Sequence, residues 1–190
     1  MKELKDKILN EGVAIGTEIV KVDHFLNHRI DVKFLEAVGK EFKSRFDDCE
    51  INKILTVEAS GIAVASLAAP YFDYAPVVFA KKAAPSTMTE GFYVAEAKSF
   101  TKGTVSLLRV SERFLNEGDK VLIIDDFLAH GQASLALADL VEQSGGEVVG
   151  IGAVIEKGFQ GGSQRLRDKG YRVESLAVIK QIDDGRIIFE

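Results

Sequence analysis

Two neighbouring carboxylates, Asp125 and Asp126, follow an aliphatic run at residues 121–124 in the stretch VLIIDDFLAHGQAS. The run predicts a buried strand, and the carboxyl ends of parallel strands are where α/β sheets bind ligands. Successive strand residues face opposite ways, so at most one of the two acids can point towards the core side of the sheet. Crowded carboxylates need partners, and sugar hydroxyls or a hydrated Mg²⁺ would serve.

A glycine turn at residues 130–133 (HGQA) follows these acids and leads into a predicted helix over 132–143. The first amides of a helix lack partners and the helix dipole adds partial positive charge, so the turn suits a phosphate. For the acid pair alone, a capping or turn role is the simpler explanation. The complete pattern of strand, acids, glycine turn and helix favours a cradle for a ribose 5-phosphate.

Strand and helix patterns alternate around this motif, which predicts an α/β fold with a parallel sheet covered by helices. The strands are expected at residues 53–57, 76–80, 121–124, 148–155, 171–179 and 187–189. A helix is expected over residues 2–10, and a second follows Asp31 as its N-cap, with one apolar face formed by Phe34, Leu35, Val38, Phe42 and Phe46. A third starts at Gly61 and ends or kinks at Pro70.

Less regular sequence covers residues 13–30 and 81–108. The first part of 13–30 has some strand character, and the rest resembles a loop. The stretch 81–108 is either a mobile functional loop or an ordinary surface hairpin, and the sequence favours neither. Within it, Ser99 and Thr101 either reach phosphates when the loop folds over or are exposed strand hydroxyls.

Composition excludes several classes of function. The chain has 190 residues, 46% of them hydrophobic, which is typical of a single globular domain, and its net charge of -5 disfavours a broad nucleic-acid-binding surface. One cysteine, Cys49, allows no internal disulfide, and the three histidines lack metal-site spacing. We find no signal peptide and no membrane-spanning run. The motifs of P-loop ATPases and dinucleotide folds are absent, and too few residues follow Asp125 for a receiver domain.

Residues 121–133 resemble the phosphoribosyl-pyrophosphate (PRPP) motif of type I phosphoribosyltransferases. Six further segments, in the right order and spanning nearly the whole chain, resemble the bacterial xanthine phosphoribosyltransferases: KVDHFLNHRID (21–31), VEASGIAVA (57–65), VVFAKK (77–82), KSFTKG (98–103), VIEKGFQGG (154–162) and GYRVESLAVI (170–179). The resemblance implies one domain over 1–190, with a mostly parallel twisted sheet in a core of about 36–155 and a small hood from about 1–35 and 156–190.

The same resemblance implies a reaction, in which xanthine attacks the anomeric carbon of PRPP and pyrophosphate leaves, giving xanthosine 5′-monophosphate. Such enzymes act in purine salvage, are cytoplasmic and usually homodimeric, and use Mg²⁺. The metal would be held through PRPP oxygens, with Asp125 and Asp126 as candidate ligands. Neither nucleic acid nor a membrane is an expected partner.

Carried over by residue, the resemblance makes Asp125, Asp126 and Glu58 the catalytic group, with the two aspartates on the ribose hydroxyls. The PRPP-binding residues would be Ala129, His130, Gly131, Gln132 and Ala133 for the 5-phosphate, and Ala59, Ser60, Gly61 and either Lys81 or Lys82 near the pyrophosphate. The base would contact Val20, Asn27, Lys157 and Phe159. Ordinary alternatives exist: Ser60 as an N-cap, one lysine as solvated surface, Asn27 as a turn residue and Phe159 as core.

Specificity follows from donors around the purine. Lys157 would donate to the 6-oxygen, while Asn27 and the backbone near Val20 would donate to the 2-oxygen, which favours xanthine over guanine. Many members of the superfamily have threonines where this chain has His130 and Ala133, so backbone amides should do more of the phosphate binding here. The competing functions are a phosphoribosyltransferase for guanine, hypoxanthine or adenine, and a non-catalytic PRPP-sensing regulator.

Overall fold

The chain folds around a central six-stranded sheet, seen in a computed structural model that describes residues 1–83, 91–99 and 104–190. The helices are α1 (Lys2–Glu11), α2 (Val32–Arg45), α3 (Ser60–Ala68), α4 (Gln132–Gln143) and α5 (Gly162–Asp168). The strands are β1 (Val13–Ile15), β2 (Ile19–Lys21), β3 (Lys53–Val57), β4 (Val77–Ala80), β5 (Phe92–Ser99), β6 (Thr104–Ser111), β7 (Lys120–Leu128), β8 (Glu147–Lys157), β9 (Val173–Asp183) and β10 (Arg186–Phe189).

The sheet has the strand order β10-β9-β8-β7-β3-β4. Strands β9, β8, β7, β3 and β4 are parallel, and β10 adds an antiparallel edge. The predicted α/β class and mostly parallel sheet are therefore confirmed. From β3 the chain continues outward to β4, whereas from β7 it continues in the opposite direction to β8, so the connections diverge between β3 and β7. Ligands of open α/β sheets bind at such a point, outside the carboxyl ends of the strands.

Apolar residues cover both faces of this sheet. One face packs against α1, α2 and α3, and the other packs against α4, α5 and the β5–β6 hairpin. All five apolar residues predicted for the face of α2 are buried, at 6% exposure or less. Each such side chain contributes about 1.5–3 kcal/mol when it leaves water. The predicted N-cap is also confirmed, because the Asp31 carboxylate accepts the Phe34 N–H at 3.1 Å.

Strands β7 and β8 extend further than the aliphatic runs predicted. Pairing continues past Ile124, with Asp125 opposite Ala153 and Leu128 opposite Glu156. The prediction that the strand ends before the two acids was therefore wrong, because backbone pairing with β8 does not depend on side-chain polarity. The acids lie within the last part of the strand.

The less regular segments also have defined structure. Residues 13–21 form the β1–β2 hairpin, and Asp23–Asn27 form one π-helical turn, where a loop was expected. Residues 92–99 and 104–111 pair as an antiparallel hairpin, which is the structure of the second alternative for this part of 81–108. Thr101 and Pro85 lie outside the described residues, as do the other residues of 84–90 and 100–103.

Both chain ends lie against β9. The Met1 amino group donates to the Leu176 carbonyl, and the Glu190 N–H donates to the Val178 carbonyl at 3.0 Å. Lys5 Nζ joins the two ends directly by donating to the Glu190 backbone oxygen at 2.5 Å. Across the described ranges, no helix has the length and apolar character needed to cross a membrane.

Candidate active site

A cleft of two adjoining cavities opens at the carboxyl ends of β3, β7 and β8. The acid cavity, of about 280 Å³, is lined by both neighbouring aspartates, by residues 57–61 and by Lys82, Ala97, Ser106 and Leu108. The loop cavity, of about 260 Å³, is lined by residues 127–131, Ser134, Glu18, Ile19, Lys157 and Gln160. Lys98, Gln132 and Ala133 line both cavities, so the two adjoin along these residues.

Asp125 is the buried member of the acid pair, at 7% exposure, and its Oδ1 accepts the Asp126 N–H at 3.0 Å. Burial, together with the neighbouring charge of Asp126, raises the pKa of Asp125 well above its ordinary value, and Lys82 acts in the opposite direction. Asp126 is only half-buried. A hydrogen-bond donor or a cation would thus stabilise the ionised form of Asp125, whereas solvent reaches Asp126. This difference agrees with the prediction that at most one of the two acids points towards the core side.

Helix α3 begins directly against these acids because residue 61 is a glycine. A Cβ at Gly61 would lie 2.1 Å from Thr56 Oγ1 and 3.1 Å from Asp125 Oδ1. Thr56 is fully buried, and its hydroxyl has no hydrogen-bond partner among the described residues. The close approach brings the open amides of the first turn of α3 to the edge of the acid cavity, and such amides favour an anion.

Glu58 joins the turn before α3 to the end of β4. Its Oε1 accepts the Lys82 N–H at 2.7 Å, its own N–H donates to the Ala80 carbonyl at 3.2 Å, and its peptide bond to Ala59 is cis. Both Glu58 and Lys82 consequently face the acid cavity, with Ala59, Ser60 and Gly61 beside them.

Lys81, by contrast, is directed away from the cavity. Its backbone exchanges two hydrogen bonds of 2.9 Å with Arg109, and its Nζ lies 5.8 Å from the centroid of the Phe79 ring. The sequence left open which lysine approaches the site, and in the structure only Lys82 of the two lines a cavity.

Residues 129–133, here called the phosphate loop, connect β7 to α4 in the predicted way. Gly131 is the N-cap of α4 with a φ of 79°, a left-handed conformation that favours glycine, and its carbonyl accepts the Leu135 N–H at 2.9 Å. All five loop residues line the loop cavity. The side chain of His130 contacts a neighbouring segment, with Nδ1 3.3 Å from the Gln160 carbonyl oxygen.

Lys157 is the candidate base-binding residue that the structure places in the cleft. It is half-buried, and this burial lowers the pKa of its ammonium, against the opposing effect of Glu18. Its Nζ lies 5.9 Å from the centroid of the Phe127 ring, which lines the same cavity. An ammonium beside an aromatic ring can donate to a purine oxygen while the ring contacts the base.

The other three candidate base-binding residues do not line either cavity. Val20 is buried, Asn27 is exposed at the end of the π-helical turn, and Phe159 is 39% exposed. The β1–β2 segment that contains Val20 instead contributes Glu18 and Ile19 to the loop cavity.

Several cavity residues were not identified from the sequence. Phe127 follows the acid pair on β7 and could have been found by continuing the strand past Asp126. Lys98 lies on β5 in a segment that resembles the family but carried no assignment, and Glu18, Ile19, Gln160 and Ser106 have no sequence signal that we recognise. Their positions depend on contacts between distant elements.

Comparison with known proteins identifies similar chains along the full length. Residues 30–185 match the family model described as phosphoribosyl transferase domain. The chain is 54% identical over 190 residues to xanthine phosphoribosyltransferase 1 of Clostridium perfringens and 50% identical over 190 residues to xanthine phosphoribosyltransferase 2 of Clostridium botulinum, with both members of each pair fully covered. Among solved structures, adenine phosphoribosyltransferase of Rhodothermus marinus has a TM-score of 0.76 at 22% identity, covering 94% of this chain and 100% of that one. That likeness concerns the fold alone.

Proposed function

The chain belongs to the phosphoribosyl transferase family, and we propose that it acts as its full-length relatives are named, by transferring the 5-phosphoribosyl group of PRPP to xanthine. The products are xanthosine 5′-monophosphate and pyrophosphate, a purine-salvage reaction. One observation carries the proposal: a single cleft joins an acid pair with one buried member, an amide loop at a helix start and a half-buried lysine. The fold is that of type I phosphoribosyltransferases.

PRPP would lie along the shared space of the two cavities. The amides of the phosphate loop (129–133) would bind its 5-phosphate, and Asp125 and Asp126 would accept hydrogen bonds from the ribose hydroxyls. The turn over residues 58–61, with Lys82, would face the pyrophosphate. This arrangement is supported by Gln132 and Ala133, which line both cavities and therefore lie between the phosphate end and the pyrophosphate end.

Catalysis would depend on charge that develops as the bond between the anomeric carbon and the pyrophosphate oxygen breaks and the bond to xanthine forms. The anomeric carbon becomes oxocarbenium-like while pyrophosphate gains negative charge, so positioning and electrostatic stabilisation supply the rate. Asp125 and Asp126 would hold the sugar and stabilise its positive charge, and the Lys82 ammonium would stabilise the leaving group. Glu58 keeps the Lys82 backbone at the cleft through its 2.7 Å hydrogen bond, which supports its inclusion in the catalytic group.

Mg²⁺ fits the donors that are present. Among the described residues no cluster of three potential metal ligands exists, while Asp125 and Asp126 supply two carboxylates at the acid cavity. Mg²⁺ commonly uses one or two carboxylates and takes its remaining ligands from substrate phosphates and water. Bound with PRPP, the ion would neutralise charge on the departing pyrophosphate.

Base recognition would centre on Lys157, which would donate to the purine 6-oxygen beside the Phe127 ring. We retain Asn27 and the backbone at Val20 as proposed donors to the 2-oxygen, because the adjoining residues Glu18 and Ile19 already reach the loop cavity. Phe159 is the least supported of the proposed base contacts, since it is 39% exposed and outside the cavity lining.

The remaining properties are carried over from the family resemblance as proposals. They are a homodimer, a cytoplasmic location, and a division into a hood of about 1–35 and 156–190 around a core of about 36–155. The joining of both chain ends at β9 supports a hood built from the two ends. Light scattering on the purified protein tests the dimer.

Turnover of a panel of bases tests the function. Xanthine, guanine, hypoxanthine and adenine are each supplied with PRPP and Mg²⁺, and nucleotide and pyrophosphate are measured together, with a reaction lacking base as the control. We expect xanthine to have the highest kcat/KM. A higher value for guanine would instead favour another purine phosphoribosyltransferase. Binding of PRPP without release of its pyrophosphate in the presence of any base would favour a sensor.

A further inference from the structure

The segment of residues 156–165 begins at the end of β8, includes the base lysine and packs against the phosphate loop. We call it the loop support. Its closest approach is at Gly162, where an added Cβ would lie 2.3 Å from the Ala129 carbonyl oxygen and 2.9 Å from the Gly131 nitrogen. Two backbones are thus in direct contact, without side chains between them.

Arg165 connects the loop support to the phosphate loop by hydrogen bonds. Its Nη1 donates to the His130 carbonyl at 3.0 Å and to the Gln160 carbonyl at 3.1 Å. Because a trans peptide holds its C=O and N–H antiparallel, fixing the His130 carbonyl towards Arg165 turns the Gly131 N–H away from it. One guanidinium therefore constrains the orientation of an amide in the predicted anion site.

The loop support is itself anchored inside the protein. The Ser163 hydroxyl donates to the carboxylate of Glu156, and these two side chains are only 8% and 3% exposed. Glu156 immediately precedes Lys157 on β8, so the base lysine and the first turn of α5 share this anchor. A buried carboxylate needs such a donor, so this hydrogen bond stabilises the contact between the first turn of α5 and the end of β8.

We propose that Arg165 is a positioning residue for 5-phosphate recognition, which holds the phosphate loop against the loop support. The proposal rests on the proposed function, since it assigns the 5-phosphate to residues 129–133. Arg165 would act through the backbone of His130, without touching the substrate.

The test compares Arg165→Met and Arg165→Lys with Arg167→Met. Arg167 lies one half-turn along the same helix and donates to the Val173 carbonyl at 3.1 Å, so its replacement is a matched control for losing an arginine from α5. Calorimetry measures the Kd of xanthosine 5′-monophosphate and of xanthosine, which differ only in the 5′-phosphate. Thermal unfolding is followed in parallel for each variant.

For Arg165→Met we expect the affinity for the monophosphate to fall about tenfold, as for one lost charge-assisted hydrogen bond, with xanthosine binding unchanged. The KM for PRPP should rise by a similar factor and kcat should change little. Lysine should restore part of the effect, because its ammonium can still donate to a carbonyl. Arg167→Met should bind both ligands as the unaltered protein does.

Three results would overturn the inference: unchanged monophosphate affinity in Arg165→Met, an equal loss for nucleoside and monophosphate, or the same loss in Arg167→Met. If the unaltered enzyme prefers a base other than xanthine, the proposed function fails on its own. The positioning role is then decided with the nucleoside and monophosphate of that preferred base.

Discussion

Gly162→Ala is the most direct test of how the loop support holds the phosphate loop. The added methyl would lie 2.3 Å from the Ala129 carbonyl oxygen, whereas ordinary contacts of a Cβ begin at 3.4 Å. The atoms it meets are backbone, so no side chain can rotate aside. The loop would have to retreat by about 1 Å, and forcing extra volume into a well-packed site typically costs about 1–3 kcal/mol of stability.

The effect on activity should be larger than the effect on folding. A displacement of about 1 Å in a group that positions a substrate can cost on the order of 100-fold in rate. We therefore expect kcat/KM for PRPP to fall between about tenfold and 100-fold. Steady-state kinetics at saturating xanthine measure this fall, and calorimetry with ribose 5-phosphate shows whether it lies in 5-phosphate binding.

Gly161→Ala provides the control at the neighbouring position. Gly161 has a φ of 69° with no atom within 4 Å of an added Cβ, so alanine there meets no neighbour but adopts a left-handed backbone. That conformation costs about 1–2 kcal/mol, similar to the expected cost at Gly162. If both variants lose stability equally and also lose kcat/KM for PRPP equally, the contact with the phosphate loop has no specific role and the reasoning is refuted.

Five other variants test the assigned roles. Asp125→Asn should lower turnover, and its thermal stability relative to the unaltered protein should increase as pH rises. The raised pKa of Asp125 stabilises the unaltered fold below the unfolded-state pKa of about 3.9, and this stability is lost as pH rises through the folded-state pKa. A difference in Tm that does not change with pH would contradict this. Asp126→Asn should lower kcat sharply without unfolding the protein, and wild-type kinetics would exclude its role. Lys157→Ala should raise the KM for xanthine and leave PRPP binding unchanged, as calorimetry would show. Lys82→Met should weaken pyrophosphate binding, whereas Lys81→Met should not, and equal losses would contradict the different directions of the two side chains.

Local sequence patterns were sufficient for the parts of the fold that local interactions determine. The apolar spacing from Phe34 to Phe46 and the N-cap at Asp31 predicted α2 correctly. The strand, glycine turn and helix around Gly131 were also predicted in the right order. Each depends on residues close together in the chain.

Contacts between distant elements determine which side chains reach the cleft and where β7 ends, and the sequence patterns did not predict these features. Lys81 and Lys82 are equivalent as sequence, and they differ in the structure because β6 pairs with Lys81 through Arg109. Phe127 and Lys98 reach the cleft through the length of β7 and the docking of the β5–β6 hairpin. The predicted strand ended too early because the polarity of the two carboxylates indicates a boundary, whereas backbone pairing with β8 determines where the strand ends.

The burial of Asp125 has a cost that a bound ligand would offset further than the protein does. Within the described residues its carboxylate accepts the Asp126 N–H, lies near the fully buried Thr56 and next to a second acid, and its pKa is raised by burial. Such an arrangement stores unfavourable electrostatic energy that hydroxyl donors, or a divalent cation bound with PRPP, would relieve. Affinity for the sugar and metal should therefore increase as pH rises and Asp125 ionises, while folding stability decreases. The opposite pH dependence of the two quantities distinguishes a binding acid from a structural one.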